Sequence, residues 1–221
     1  AFSALAAAYI SALKESITEQ NLSILARQGS GSASRSVFGG FVEWKAGSTS
    51  SSSFAMQIAP PSHWDLVDII AVIDYAHKKV GSSSGHQLAV SSPFQNARIE
   101  GCEQRLLRCR NAILSKNFEN LAEISEADSN LMHAVMLTSS PPLLYWQPAT
   151  IGIMHAVQKW RKDGLPVFYT IDAGPNVHCV TTEENYKTVM SEINTLSGIR
   201  EVIISRPGTG VRSSWKNLIK H

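Results

Sequence analysis

Apolar residues at the start of the chain recur at the spacing of a single helical face. Six of them fall at positions i, i+3, i+4, i+7, i+8 and i+11: Phe2, Leu5, Ala6, Tyr9, Ile10 and Leu13. This spacing predicts a helix with a wide buried face. The helix begins without an initiator methionine, a cap residue or a preceding strand, so we expect the sequence to be a fragment that has lost its N-terminal part.

The rest of the chain alternates between strand and helix patterns. Strands are predicted over Val37–Trp44, Phe54–Ala59, Leu66–Ile73, Val167–Ile171, Val177–Thr181 and Glu201–Ser205. Helices are predicted over Glu19–Arg27, Phe118–Ser129, Leu131–Leu137, Pro148–Lys162 and Glu183–Leu196. Together these elements predict an α+β fold in which helices pack on largely antiparallel sheets.

Composition and charge narrow the classes of function. The chain has 20 Lys and Arg against 18 Asp and Glu, a net charge of +2 without a basic cluster, so no nucleic-acid partner is expected. No apolar run reaches the length of a membrane span, and no membrane partner is expected. The three cysteines, Cys102, Cys109 and Cys179, lack C-x-x-C spacing, which favours a reducing compartment and predicts a cytoplasmic location.

The segment Gly29-Ser30-Gly31-Ser32-Ala33-Ser34-Arg35-Ser36 combines small residues, hydroxyls and one guanidinium. Backbone N–H groups freed of large side chains hold oxyanions, and the planar fork of Arg35 matches a carboxylate in two hydrogen bonds. A flexible Ser-rich linker is the alternative interpretation. The pair Gly39 and Gly40 indicates close approach by a ligand or by another backbone, and Gly81–Gly85 predicts a second small-residue loop.

Asp172 closes an apolar strand and precedes the turn Ala173-Gly174-Pro175-Asn176. A carboxylate at the end of a strand could meet a substrate hydroxyl as a general base. The alternative is an Asx turn, in which the side chain caps its own backbone.

Other catalytic patterns are missing from the sequence. The P-loop lysine pattern, a complete dinucleotide fingerprint and the G-x-S-x-G elbow do not occur, and Pro207-Gly208-Thr209-Gly210 is read as a turn. Asp128 and His133 are five residues apart on a predicted helix and point in different directions, so we expect no metal site there and a hydrogen-bonding role for His133.

Three motifs together resemble the mevalonate diphosphate decarboxylases, which belong to the superfamily of galactokinase, homoserine kinase and mevalonate kinase. They are residues 29–36 with Phe38-Gly39-Gly40-Phe41-Val42-Glu43-Trp44, Asp128-Ser129-Asn130 with His133-Ala134, and Tyr169-Thr170-Ile171-Asp172-Ala173-Gly174-Pro175-Asn176. The resemblance implies the two-lobed small-molecule-kinase fold with an incomplete N-terminal lobe. It assigns residues 1–85 to the remainder of the nucleotide- and substrate-binding lobe and 86–221 to a ferredoxin-like α+β lobe.

The resemblance also implies a reaction: ATP phosphorylates the tertiary 3-hydroxyl of mevalonate 5-diphosphate, and loss of phosphate and carbon dioxide then gives isopentenyl diphosphate. By the match, Asp172 faces the 3-hydroxyl and Arg35 grips the substrate carboxylate. Ser30, Ser32 and Ser82 match serines that bind the substrate diphosphate or reach the same region. ATP and Mg²⁺ are the implied cofactors, and a homodimer is expected.

Two positions depart from the family pattern. His86 stands where the family often has Met, and Ser83 stands where some members have Arg, so a monophosphate substrate is the alternative to the diphosphate. The family's glycine-rich phosphate loop and lysine-bearing strand precede the first helix of this sequence, so we expect the fragment to bind ATP poorly and to be inactive. The alternatives are a kinase that phosphorylates a mevalonate-type substrate without decarboxylation, and a non-catalytic binding domain.

Overall fold

The computed structural model describes residues 1–75 and 82–212, except the side chains of 82–84, and divides them into two compact units. The first unit contains Ala1–Trp64 and the described residues from Pro207 onward. The second contains the described residues of Asp65–Arg206. The predicted boundary after residue 85 therefore differs from the division by contacts. The reason is that the strand over Leu66–Val72 pairs with the strands over Val177–Thr182 and Glu201–Ser205 of the second unit.

Helices and a short hairpin form the first unit. Its elements are helix α1 (Phe2–Ala12), helix α2 (Glu19–Gly29), a 3₁₀ helix (Gly31–Val37), strand β1 (Phe41–Trp44), strand β2 (Ala55–Ala59) and a short 3₁₀ turn (Pro61–His63). The two strands pair antiparallel. Thr18 caps α2 by accepting a hydrogen bond from the Asn21 amide at 3.2 Å.

The predicted wide buried face of α1 is wrong for the described residues. Ala6 and Ser3 are buried, whereas Phe2, Leu5 and Tyr9 are 47%, 65% and 59% exposed. Within the described part of this unit, α1 packs against α2 and the neighbouring 3₁₀ helix. Those two elements cover a stripe that is narrower than the apolar face of the helix.

The paired glycines of the first unit allow two backbones to meet. The Gly40 amide donates to the Gly208 carbonyl at 2.8 Å, and the Val211 amide donates to Val37 at 3.0 Å. A Cβ at Gly39 would lie 2.7 Å from the Gly210 nitrogen, closer than real Cβ atoms approach. Of the two alternatives left open by the sequence, the close approach of another backbone is therefore the one observed.

The second unit is a four-stranded antiparallel sheet with helices. Its strands are β3 (Leu66–Val72), β4 (Val167–Thr170), β5 (Val177–Thr182) and β6 (Glu201–Ser205), in the order β4-β5-β3-β6. Its helices are α3 (Ser82–Ala89), α4 (Gln95–Glu100), α5 (Cys102–Ser115), α6 (Phe118–Leu137), α7 (Pro148–Lys162) and α8 (Tyr186–Ile193). The α+β class predicted from the pattern is confirmed.

One face of this sheet and helices α7 and α8 enclose the main core. Alternate residues of β5, namely Val177, Cys179 and Thr181, are fully buried, as the period of two of a strand requires. Ile153 and Val157 of α7 pack against them in the same cluster.

Two predicted local structures need correction. The loop predicted over Gly81–Gly85 is helical from Ser82, because α3 begins there, and Gly81 itself lies outside the described residues. The strand predicted from Val37 begins at Phe41, because Val37 ends the 3₁₀ helix and is buried in the core of the first unit.

Helix α6 runs beside the edge strand β4 and hydrogen-bonds to its outer side. The Tyr169 amide donates to Glu126 Oε1 at 3.2 Å. Arg161 of α7 donates to both oxygens of Glu126, at 2.6 and 2.8 Å, and to the Val167 carbonyl at 3.1 Å. The buried carboxylate thus satisfies a guanidinium and an edge amide together.

We predict that Glu126→Gln destabilises the protein more than Glu123→Gln. Glu126 is 8% exposed, and its loss of charge leaves Arg161 partly buried without a counter-ion, which should cost about 1–3 kcal/mol. Glu123 lies on the surface of the same helix and pairs with Arg108 of α5, and such an exposed pair contributes roughly 0–1 kcal/mol. Thermal and urea denaturation of both variants measures the difference, and equal losses would contradict the role given to Glu126.

We also predict that Gly39→Ala lowers stability by about 1–3 kcal/mol, because the new Cβ would collide with the backbone of residues 208–210. Gly208→Ala is the matched control, since its Cβ would meet no atom within 4 Å. The control should be neutral or slightly stabilising. A Gly39→Ala protein with an unchanged melting temperature would show that close backbone approach does not require glycine there.

Candidate active site

Asp172 lies in the turn between β4 and β5. The Gly174 amide donates to the Asp172 carbonyl at 2.7 Å, which closes the turn through its backbone. Asp172 is exposed, and its carboxylate accepts no hydrogen bond from any residue that the structure describes. The Asx-turn alternative is therefore not what the described residues show, and the carboxylate is open to a ligand.

The backbone just before Asp172 is held by helix α6. Ser129 Oγ accepts from the Ile171 amide at 3.0 Å and lies 3.1 Å from the Ile171 carbonyl, to which it donates. His133 Nε2 lies 3.1 Å from the same carbonyl oxygen. The carbonyl is an acceptor, so Nε2 carries the proton in this contact. The hydrogen-bonding role predicted for His133 is confirmed.

The surroundings of His133 disfavour the charged form of its imidazole. The residue is 1% exposed, and its ring centroid lies 4.9 Å from that of Trp146 and 6.0 Å from that of Tyr145. Burial lowers the pKa of His133 below its ordinary value, against the opposing effects of the Ile171 carbonyl and the Asp172 charge. Of the two neutral tautomers, the one with its proton on Nε2 is the form that can donate to Ile171.

The far side of the turn is held by the two residues that follow β3 and by α7. Asn176 Oδ1 accepts from the amides of Ile73 and Asp74 at 2.9 and 3.1 Å. Thr150, near the start of α7, donates to the Pro175 carbonyl at 2.7 Å. Both ends of the segment 171–176 are therefore fixed to neighbouring elements, while the carboxylate between them is not.

Sequence reasoning missed a charged pair close to this turn. His178 Nδ1 lies 2.8 Å from Asp68 Oδ2, and Thr170, two residues before Asp172, pairs directly with His178 across the strands. The hydrogen bond to Asp68 raises the pKa of His178, burial opposes it, and the Asp172 charge adds to the increase. Polar residues at the outward positions of adjacent strands were the signal that could have found this pair.

Arg35 and the first two predicted serines lie in the first unit. Arg35 is exposed on the 3₁₀ helix, and its guanidinium makes no hydrogen bond with any described residue. Ser30 Oγ and Ser32 Oγ lie 3.0 Å apart, so the structure brings these two hydroxyls together. A flexible linker, the alternative for this segment, is not observed, because residues 31–37 form a regular 3₁₀ helix.

Close packing accounts for two of the small residues in the same segment. A Cβ at Gly31 would lie 2.8 Å from the Trp44 ring, and one at Gly29 would lie 2.3 Å from the Phe2 ring. Ser34 is fully buried and donates to the Gly31 carbonyl at 2.7 Å. These positions are small for structural reasons, whereas Ser32, Arg35 and Ser36 are exposed and Ser30 is half-buried.

The remaining predicted site residue is Ser82. It begins α3, but its side chain lies outside the described residues. Arg35 belongs to the first unit and Asp172 to the second, and their convergence on one cavity stays a prediction.

The described residues offer few alternatives to this site. No group of three His, Cys, Asp or Glu side chains could hold a metal ion there, and no helix among them is long and apolar enough to cross a bilayer. A cleft of about 630 Å³ at the start of α7 is lined by residues that include Ile73, Gln147 and Arg200. Asp172 is not among them, so we do not assign the chemistry to this cleft.

Family models and curated proteins that match this chain are of one kind, the diphosphomevalonate decarboxylases. Residues 1–55 match the diphosphomevalonate decarboxylase-like N-terminal domain. A diphosphomevalonate decarboxylase of Ganoderma lucidum is 37% identical over 203 residues, which cover 87% of this chain and 51% of that protein. The human diphosphomevalonate decarboxylase is 36% identical over 75% of this chain and 43% of its own length. The chain spans about half the length of the curated relatives it matches.

Solved structures agree with these relatives. The mevalonate diphosphate decarboxylase of Staphylococcus aureus is similar with a TM-score of 0.88 and 35% identity, over 95% of this chain and 64% of that one. A structure described as MDDEF in complex with MVAPP, AMPPCP and magnesium also has a TM-score of 0.88, with 34% identity over 95% of this chain and 64% of that one. Because residues 68–210 match the mevalonate 5-diphosphate decarboxylase C-terminal domain, the chain belongs to the mevalonate 5-diphosphate decarboxylase family.

Proposed function

We propose that the full-length protein catalyses the ATP-dependent decarboxylation of mevalonate 5-diphosphate to isopentenyl diphosphate, a step of isoprenoid biosynthesis. The observation that carries the proposal is the turn at residues 171–176, which is fixed at both ends and presents an unbonded carboxylate between them. Relatives named diphosphomevalonate decarboxylase support the same reaction. The activity is proposed for the full-length protein, because the chain spans about half the length of the curated relatives it matches.

Asp172 acts on the 3-hydroxyl in this proposal. The hydroxyl oxygen attacks the γ-phosphorus of ATP, its proton passes to the Asp172 carboxylate, and ADP leaves. The C–O bond to the new phosphate then breaks with both electrons leaving on phosphate, which takes the proton from Asp172, and the ionised Asp172 carboxylate stabilises the positive charge that develops on C3. Finally the bond to the substrate carboxylate breaks, its electron pair forms the C=C bond, and carbon dioxide leaves.

Arg35 holds the carboxylate that is lost. A guanidinium without a protein partner in the described residues can give two parallel hydrogen bonds to a carboxylate, which fixes the bond that breaks. Ser30 and Ser32, whose hydroxyls lie 3.0 Å apart, bind the substrate diphosphate in this proposal, together with Ser82.

In this proposal Mg²⁺ binds together with ATP. Magnesium ions in phosphoryl-transfer sites are usually bound by one or two carboxylates together with substrate phosphates, and the complex of a similar protein with AMPPCP and magnesium supports this assignment. We also propose that the protein is cytoplasmic and forms a homodimer. Cell fractionation tests the location, and mass measurement in solution tests the oligomeric state.

We predict that Asp172→Asn in the full-length protein lowers the rate of carbon dioxide release by about 10²–10⁴-fold, because the amide cannot accept the hydroxyl proton. The dissociation constant for mevalonate diphosphate, measured by calorimetry, should change less than threefold. Asp163→Asn is the control, since Asp163 pairs only with exposed Lys159 in the described structure. Near-normal turnover by Asp172→Asn would refute the role of this carboxylate.

Product analysis separates decarboxylation from simple phosphorylation. A superfamily kinase would consume ATP and accumulate a phosphorylated acid without releasing carbon dioxide. A non-catalytic binding domain would show neither turnover nor heat on titration with ATP and mevalonate diphosphate.

We predict that Arg35→Gln raises the Michaelis constant for mevalonate diphosphate by roughly 10- to 100-fold, because a charged hydrogen bond to a carboxylate contributes about 1.5–3 kcal/mol. Arg35→Lys should recover only part of the loss, since an ammonium lacks the planar fork. Arg108→Gln, at an exposed ion pair, is the control. Steady-state kinetics provide the measurement, and a wild-type Michaelis constant in Arg35→Gln would remove Arg35 from the site.

A further inference from the structure

The outer edge of β4 is completed by a helix instead of a strand. In the sheet order β4-β5-β3-β6, β4 is an edge strand, so its outward N–H and C=O groups need partners from elsewhere. Glu126, Ser129 and His133 supply partners for the Tyr169 amide and for both groups of Ile171 from one face of α6. Arg161 of α7 supplies one for the Val167 carbonyl. From Glu126 to His133 the helix rises about 10 Å. From Tyr169 to Ile171 the strand rises about 7 Å, so the three side chains can follow the edge.

The contacts become denser toward the end of the strand. Tyr169 is held on this side through its amide by Glu126, whereas Ile171 is held through both its amide and its carbonyl. Ser129 Oγ hydrogen-bonds to both the amide and the carbonyl of Ile171, as a paired residue in a neighbouring strand would do. His133 Nε2 adds a second donor to the Ile171 carbonyl, which uses the second lone pair of that oxygen.

This concentration of hydrogen bonds lies one residue before Asp172. The Asp172 carboxylate has no hydrogen bond of its own to a described residue, so its direction is set by the backbone that precedes and follows it. We propose that Ser129 and His133 are positioning residues, which fix the Ile171 peptide so that the Asp172 carboxylate meets the substrate hydroxyl. This inference rests on the function proposed above for Asp172.

His133→Leu and His133→Gln in the full-length protein test the inference. Leucine fills the apolar space beside Trp146 but removes the donor, whereas the Gln amide can place an N–H near the position of Nε2. We predict that His133→Leu lowers kcat by about 10- to 100-fold, because small errors in the position of a reacting group are costly. The Michaelis constants should stay within threefold, and His133→Gln should recover most of kcat.

Val135→Ala controls for a loss of stability alone. Val135 is 1% exposed on the same helix and packs with Ala89 and Met136, away from Ile171. This variant should lower the melting temperature by a similar amount and keep a near-normal kcat. If His133→Leu and Val135→Ala have the same kcat, or if His133→Gln is no better than His133→Leu, the positioning role is wrong.

Hydrogen exchange separates this inference from the proposed function. Ser129→Ala removes the acceptor of the Ile171 amide, so exchange in peptides that cover residues 169–174 should become roughly 3- to 10-fold faster. Faster exchange with an unchanged kcat would overturn the positioning role. Unchanged exchange would show that the hydrogen bonds of Ser129 and His133 to Ile171, the clamp, do not protect this backbone. If Asp172→Asn remains active, the proposed function fails, and the exchange measurement still reports on the clamp.

Discussion

The candidate site depends on the hydrogen bonds between helix α6 and the outer edge of strand β4. An exposed edge would leave the amides of Tyr169 and Ile171 without partners and would allow the strand to fray. The side chains of Glu126, Ser129 and His133 replace a neighbouring strand there. They also anchor the edge to a 20-residue helix, so the end of β4 has hydrogen-bond partners on both sides, as a central strand has. A carboxylate that follows such an end can be held in place without bonds of its own.

Electrostatics near the turn follows from the same arrangement. His133 is buried against two aromatic rings, and this burial lowers its pKa although its contact with the Ile171 carbonyl opposes the effect. His178 is held by Asp68, and its raised pKa favours the charged form. The pKa values of the two histidines that feel the Asp172 charge therefore shift in opposite directions. His133 is buried in an apolar pocket, whereas His178 is hydrogen-bonded to a carboxylate.

The sequence predicted those parts of the fold that depend on local pattern. Helix α7 and strand β6 have the predicted bounds, because Pro148 and Asp163-Gly164 mark the helix ends and because an apolar run with clear flanks marks the strand. The role of His133 followed from its helical position relative to Asp128. Residues 81–85 show the limit of this approach, since a Gly/Ser composition typical of loops lies partly within α3.

Properties set by distant contacts could not be read from local pattern. The apolar face of α1 has the period of a buried helix, yet burial depends on which elements pack against it. The glycines at 39 and 40 indicated a close approach but not its partner, because Gly208 and Gly210 are remote in the chain. Asp68 and His178 meet through the register of β3 and β5, which requires knowledge of the strand pairing.

The return of Gly208 to Gly40 makes the first unit discontinuous in sequence, with the second unit inserted into it. The ends of the insert are adjacent in space: Asp65 accepts from the Glu183 amide at 2.9 Å, and Arg206 donates to the Glu183 carboxylate at 2.7 Å. Neighbouring ends are what allow a domain to be inserted into another without disturbing its host. During synthesis on the ribosome, the host unit must therefore wait for the whole insert to emerge before its last backbone contacts can form.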